Sequence, residues 1–366
     1  MKKSSVFIVC CVCFLICTLL RYPANMISAS AAAIQLWLTR VFPSLFPFLV
    51  SCNILLYIGA AERMGFFLRP LTKLVFGLDG IAAFPFFCSI LSGYPTGAKI
   101  TASLYQKKMI SLSDAEHILV FSSTPGPLFL IGTIGAGFFS MPFFGYLLLV
   151  SSFFGAVLTG VLFRFRKKNT SHINHNAIIT QPDFPLFETL SLSVYDAVQT
   201  ILLIGGYLIF FAAFSEALVQ AGFFRFISDS IRFLPLSAKS VQGSFCGILE
   251  MTNGAYLLSQ AGDPLRMRLT IVSFLVSFGG LSILGQTLGL LSAVPINKKS
   301  YLQGKFCNAL FSSLFFWFFY PFWEQKAQKA VPVFFTFTET AFTLSFLWLL
   351  PSLFFIGVLI YAIIHR

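Results

Sequence analysis

The stretch S-I-L-S-G-Y-P-T-G-A-K-I-T-A-S-L, Ser89–Leu104, sets Gly93, Tyr94, Pro95, Gly97 and Lys99 in the middle of an apolar region. Glycine and proline interrupt helices. Backbone cannot stay unpaired in lipid, so a membrane chain tolerates such a break only where protein or a water-filled cavity surrounds it. The arms on either side, 81–91 and 98–105, hold about 8 to 11 residues. At ~1.5 Å per residue each arm reaches ~12–17 Å, half of a ~30 Å hydrocarbon core. Residues 81–105 therefore read as a re-entrant hairpin whose tip lies inside the protein.

The rest of the chain supports that solvent. Of 366 residues, 57% are hydrophobic and 10% charged, against ~25% charged in soluble domains, and the mean hydropathy is +0.84. Apolar runs suited to spanning a bilayer fall at 5–22, 33–59, 117–138, 142–164, 191–215, 270–292, 304–323 and 340–364. The fold class is thus an all-α polytopic membrane protein with about eight transmembrane helices plus two re-entrant hairpins, arranged as two inverted repeats. The net charge of +12 is spread over short loops between apolar runs, a pattern of topology rather than of a nucleic-acid surface. Seven of the eight cysteines lie in apolar segments and none shows metal-ligand spacing. His172 and His175 sit in a hydrophilic stretch without an accompanying Cys, Asp or Glu pair, so no metal site and no cofactor are expected. Residues 1–22 have the charge and apolar run of a signal peptide, and retention as a first span is expected because the topology then works.

A second hairpin is read from a weak repeat. Gly65-Phe66-Phe67 recurs as Gly222-Phe223-Phe224, and the Y-P-T-G-A ending at Ala98 recurs as the M-T-N-G-A ending at Ala255, both offset by 157 residues. Each copy runs in one order: a long span (33–59; 191–215), a basic amphipathic stretch (62–78; 222–236), a glycine-interrupted segment (81–105; 241–262) and two more spans. The expected domains are a first transmembrane helix at 1–29, repeat 1 at 30–164, a cytoplasmic linker at 165–188, repeat 2 at 189–325 and a C-terminal transmembrane helix at 326–366. Three true crossings per repeat invert the second copy. With both termini cytoplasmic and both hairpins re-entrant, fifteen Lys and Arg, Lys305 among them, fall inside and eight outside, with Arg40 and Lys99 set apart as intramembrane.

The hairpin tips are where chemistry would sit. A helix beginning near Thr96 offers unpaired N–H groups and its positive dipole end to an anion. Lys99, in the first turn, either meets such an anion, snorkels to the cytoplasmic interface, or pairs with an acid such as Glu250. The second tip carries Glu250, Thr252, Asn253 and Gly254. Its carboxylate could pair with Lys99, bind a coupling cation or carry a proton, and Asn253 could equally be a turn residue. The following spans, F-S-S-T-P-G-P-L-F-L-I-G-T-I-G-A-G (121–137) and F-G-G-L-S-I-L-G-Q-T-L-G (278–289), add Ser123, Thr124 and Gln286 beside helix interruptions that could also be close packing. Asp196 and Glu216 are placed near span ends. The substrate-binding set is Ser92, Tyr94, Thr96, Gly97, Lys99, Ser123, Thr124, Glu250, Thr252, Asn253, Gly254 and Gln286. There is no HExxH, G-x-S-x-G or Walker loop, so the chain reads as no enzyme and any transport as secondary.

This order of span, amphipathic helix, hairpin and two spans, given twice, resembles the concentrative nucleoside transporters and the wider nucleoside-recognition Gate group. F-P-S-L-F-P-F-L-V (42–50), S-G-Y-P-T-G-A-K (92–99), S-T-P-G-P-L-F (123–129) and E-M-T-N-G-A (250–255) resemble more closely the YlbJ (SpoVV) family of sporulation integral membrane proteins. That resemblance implies a bacterial membrane carrier importing dipicolinate across the outer forespore membrane. Its expected partners are a small organic anion, the lipid bilayer, a coupling proton or cation and a homo-oligomeric copy, with no nucleic acid. The polar first tip of nucleoside transporters is here Gly93-Tyr94-Pro95-Thr96-Gly97, which weighs against a nucleoside. A nucleoside or other small-metabolite transporter and a non-transporting sporulation scaffold are the alternatives.

Overall fold

The computed structural model describes residues 3–58, 60–165, 185–230, 236–292 and 294–329. Among these the backbone is helical, without a strand. Internal contacts divide the chain into Met1–Tyr320, which holds both helical hairpins, and Pro321–Arg366.

The chain opens with α1 (Lys3–Arg21) and α2 (Pro23–Leu36), bent by 108° at Tyr22. Proline at the first position of α2 suits a helix start, where its missing N–H costs nothing. The expected first helix at 1–29 therefore ends early, at Arg21, and α2 continues through a π-helical turn, Trp37–Val41, into α3 (Phe42–Tyr57). Pro43 and Pro47 account for that widened turn and its neighbourhood, since each removes a donor and crowds the carbonyl four residues back. Next come α4 (Ala60–Phe76) and, after a short 3₁₀ turn capped by Asp79, the two arms of the first hairpin, α5 (Ala83–Ser92) and α6 (Thr96–Gln106). Arg69 closes this corner with an ion pair to Asp79 at 3.2 Å.

The span expected at 117–138 is broken. It consists of α7 (Leu112–Phe121), an irregular stretch at 122–127, and a π-helical segment, Leu128–Phe138. Pro125 and Pro127 remove the donors that would have bridged the gap. After it, α8 (Pro142–Arg164) crosses the π-helical segment at Gly145, where an added Cβ would stand 2.6 Å from the Ile131 Cα.

The second half repeats the order. It runs through α9 (Leu186–Gln220), α10 (Phe223–Ser230) and the second hairpin, α11 (Ala238–Leu249) and α12 (Met251–Ser259). The span expected at 270–292 is α13 (Leu265–Phe278) and α14 (Gly280–Leu290), joined at Gly279 in the left-handed region, and α15 (Lys298–Lys329) follows. Among the described residues four helices are long and apolar enough to cross a membrane: Pro142–Arg164, Phe187–Gln220, Leu265–Leu290 and Lys298–Glu324. The number rises to six if each of two bent pairs counts as one span. Eight were expected; the breaks at Tyr22 and 122–127 account for part of the difference. The span at 340–364, His172, His175 and most of the linker 165–188 lie outside the described residues.

The two halves interlock. α3 packs on α9, and α6 on α14. Ala98 and Ala102 of α6, Leu119 of α7, Leu284 of α14 and Tyr301 of α15 share one buried apolar cluster. Alanine on α6 matters here because small side chains are what let helices approach closely where water supplies no hydrophobic drive.

Candidate functional site

The first tip is built by pressing one break against another. Gly93 has φ +88°, in the region only glycine enters freely, and an added Cβ would stand 2.6 Å from the Gly126 amide nitrogen. Gly97 is tighter still, its missing Cβ falling 1.8 Å from the Ser122 carbonyl oxygen. Ser89 clamps the pair, its Oγ accepting from the Thr124 amide at 3.0 Å and lying 3.1 Å from the Thr124 hydroxyl. Ser92 turns back on its own helix, donating to the Cys88 carbonyl at 2.7 Å.

Tyr94 leaves the tip and crosses to the other half. Its hydroxyl donates to the Val276 carbonyl at 2.9 Å and lies against the Met251 sulfur. The two hairpin tips thus touch, with Tyr94, Met251 and Ile283 in one buried cluster. α6 starts at Thr96 behind Pro95, which offers no side-chain cap. The Thr96 hydroxyl is 1% exposed at the residue level and has no hydrogen-bond partner among the described residues.

Lys99 does not form the pair with Glu250 that was one of its expected alternatives. Its ammonium donates to the Asp196 backbone carbonyl on α9 at 3.0 Å and does not meet Glu250. The cause is geometric: two residues along a helix turn by ~200°, so the face opposite Gly97 points away from the break. Asp196, expected near a span end, lies ten residues inside α9 and accepts a hydrogen bond from Tyr57 at 3.0 Å.

The second tip closes on itself. Glu250 is the N-cap of α12, its Oε1 accepting from the Thr252 amide at 3.0 Å and its Oε2 from the Asn253 amide at 2.8 Å. Gly254 brings α12 onto α11, an added Cβ there lying 2.2 Å from the Gly247 Cα. Gly280, φ +69°, would place an added Cβ 3.0 Å from the Gly247 carbonyl oxygen, so this tip too rests on the break of the following span. Thr252 is buried and Asn253 partly so. Gln286 on α14 bonds Ser282 at 3.3 Å, and its Oε1 is buried with no partner among the described residues.

Sequence reasoning missed two central residues. Lys305, counted as a cytoplasmic charge, is 0% exposed. Its ammonium donates to the Ser123 carbonyl at 2.8 Å and stands 5.1 Å from the centre of the Tyr94 ring. Tyr301, one turn earlier, lies 3.2 Å from the Ser123 hydroxyl. The signal was present as a Tyr-x-x-x-Lys pair on one face of α15. Removing Lys305 from the inner count leaves fourteen basic residues against eight.

Outside the spans, Asp263 in the turn after α12 organises the entry to α11. Partial burial pushes its carboxyl up, but hydrogen bonds from the Ser237 and Ser240 hydroxyls and the Ser237 amide (3.0 Å) outweigh that and hold it below its ordinary value. Among the described residues no group of three or more His, Cys, Asp or Glu could hold a metal ion.

Residues 38–156, which include the first hairpin and the break after α7, match the Gate family, described as nucleoside recognition. The chain is 28% identical over 323 residues to the sporulation integral membrane protein YlbJ of Bacillus subtilis (strain 168), covering 82% of this chain and 79% of that one. A solved structure of a CNTnw double variant in an outward-facing state is similar with a TM-score of 0.49 and 13% identity, over 87% of this chain and 85% of that one. The chain is an integral membrane protein that carries a match to the nucleoside-recognition Gate family and is similar over most of its length to a sporulation membrane protein.

Proposed function

We propose that the protein is a secondary carrier of a small organic anion, dipicolinate foremost, held between two hairpin tips of inverted repeats. The observation that carries this reading is the contrast between the two tip helices. α12 begins on a buried carboxylate, the side chain of Glu250, bonded to two amides of its first turn. α6 begins without a side-chain cap, and its first residue keeps a buried hydroxyl with no partner among the described residues. A helix N-terminus favours an anion. The second tip holds one covalently, and the first is left to receive a carboxylate from a substrate.

Thr96 would donate its hydroxyl to that carboxylate, with Gly97 keeping the α6 backbone close and Tyr94 bordering the aromatic ring. Ser123 and Thr124 line the break beneath, and Thr252, Asn253, Gly254 and Gln286 complete the far side. Lys99, tied to α9, positions α6. The choice of dipicolinate comes from the resemblance to the YlbJ family, whose member in Bacillus subtilis is named for sporulation. The outer forespore membrane, cytoplasmic termini and a homo-oligomeric state are further parts of the proposal.

A nucleoside is the second reading, favoured by the description of the matched family. The two separate in proteoliposomes loaded with purified protein: uptake of labelled dipicolinate, competed by unlabelled dipicolinate and not by uridine, supports the anion. Uridine uptake without dipicolinate uptake overturns it in favour of the nucleoside. Uptake of neither supports the scaffold.

A further inference from the structure

α7 ends at Phe121, and the carbonyls that follow turn into the irregular stretch at 122–127. Such carbonyls carry the negative end of the half-helix dipole. In membrane carriers built on broken helices, they are where coupling cations are coordinated. Here that place is taken by a side chain. The Lys305 ammonium donates to the Ser123 carbonyl at 2.8 Å, and the neighbouring Tyr301 hydroxyl lies 3.2 Å from the Ser123 hydroxyl. The other contact of the ammonium is the face of Tyr94 at 5.1 Å, an electrostatic attraction without formal charge. Among the described residues no carboxylate forms an ion pair with it.

The other half shows the matching device. The carbonyl of Val276, near the end of α13, receives the Tyr94 hydroxyl at 2.9 Å. Each broken span therefore has a carbonyl capped from the opposite half of the chain: Ser123 by Lys305, Val276 by Tyr94. A fully buried lysine is expensive unless its charge is used.

We infer that the Lys305 ammonium is the resident cation of the first broken span, standing where a sodium ion would otherwise be coordinated, so that the protein binds no sodium there and needs no sodium gradient. The gradient clause rests on the carrier reading; the cation site rests on the geometry alone.

The test is thermal unfolding of the purified full-length protein, followed by tryptophan fluorescence, in sodium chloride against N-methyl-D-glucamine chloride at equal ionic strength. The wild-type protein should show the same midpoint in both. Lys305→Ala should unfold at a lower temperature in N-methyl-D-glucamine and regain roughly 2 °C or more in sodium, because a ligand that binds only the folded state raises the midpoint by mass action. Lys305→Arg should behave as wild type. A sodium-specific rise in the wild-type midpoint overturns the inference, as does a folded Lys305→Ala protein that sodium does not stabilise. The wild-type arm decides the matter alone if the alanine variant fails to fold. In proteoliposomes, wild-type dipicolinate uptake should change less than twofold when sodium is withdrawn, and a tenfold fall overturns the inference. Absence of dipicolinate uptake under every condition counts against the proposed substrate instead, while the unfolding assay still reads the cation site.

Discussion

Glu250→Ala isolates the self-capped tip. The substitution removes a buried carboxylate that accepts from the Thr252 amide at 3.0 Å and the Asn253 amide at 2.8 Å. Losing an N-cap costs ~0.5–2 kcal/mol, and a buried donor left without a partner costs ~1–3 kcal/mol. The carboxylate also carried a burial cost that alanine escapes, so the two losses are not fully additive. The sum works out at roughly 2–3 kcal/mol, and at ~2–4 °C per kcal/mol the midpoint should fall by about 4–12 °C. Glu250→Gln should recover part of this, because its amide oxygen can accept one of the two N–H bonds. Scanning fluorimetry of the purified protein in detergent reads both variants. An alanine midpoint within ~1 °C of wild type would refute the claim that Glu250 holds this tip together, whatever the substrate.

Other consequences follow from the same geometry. Gly97→Ala places a methyl group 1.8 Å from the Ser122 carbonyl oxygen, a backbone atom that cannot step aside alone. The cost should be ~1–3 kcal/mol or more, read as a lower midpoint and lower yield of monodisperse protein, while Gly206→Ala, with nothing within 4 Å, should be tolerated. Asp263 gives a pH dependence. Its folded pKa lies below the unfolded one, so its stabilisation is present above ~pH 4 and is lost as pH falls through the lower folded value. Asp263→Asn should remove that acid limb of the melting curve and lower the midpoint at neutral pH; an unchanged profile would show that the Ser237–Asp263 contact is idle.

The hairpins were legible because their breakers are local. Gly93 and Pro95 forbid a continuous helix, and the arms 81–105 and 241–262 agree closely with α5–α6 and α11–α12. The cap at Glu250 was not legible as a cap, since Ser, Thr, Asp and Asn are the usual N-cap residues and glutamate reaches the same amides less often. Lys99 was read by its distance along the chain from the tip, whereas the helical turn between Gly97 and Lys99 sends it to α9. Lys305 was read by its neighbours Lys298 and Lys299, which sit at the exposed start of α15; two turns later the same helix is inside the protein. The broken span at 122–127 was marked by its prolines, but which carbonyl would be exposed, and by what it would be capped, depends on a residue 182 positions away.

The measurement that tests the central claim most directly is equilibrium binding of labelled dipicolinate to the purified protein, compared for wild type, Thr96→Val and Lys99→Ala. Thr96→Val keeps the shape of the side chain and deletes the buried hydroxyl at the uncapped start of α6. The account predicts specific binding by wild type, weakened roughly tenfold in Thr96→Val, a loss of ~1.4 kcal/mol, and changed less than threefold in Lys99→Ala. Binding untouched by Thr96→Val, or abolished by Lys99→Ala alone in a folded protein, would contradict it.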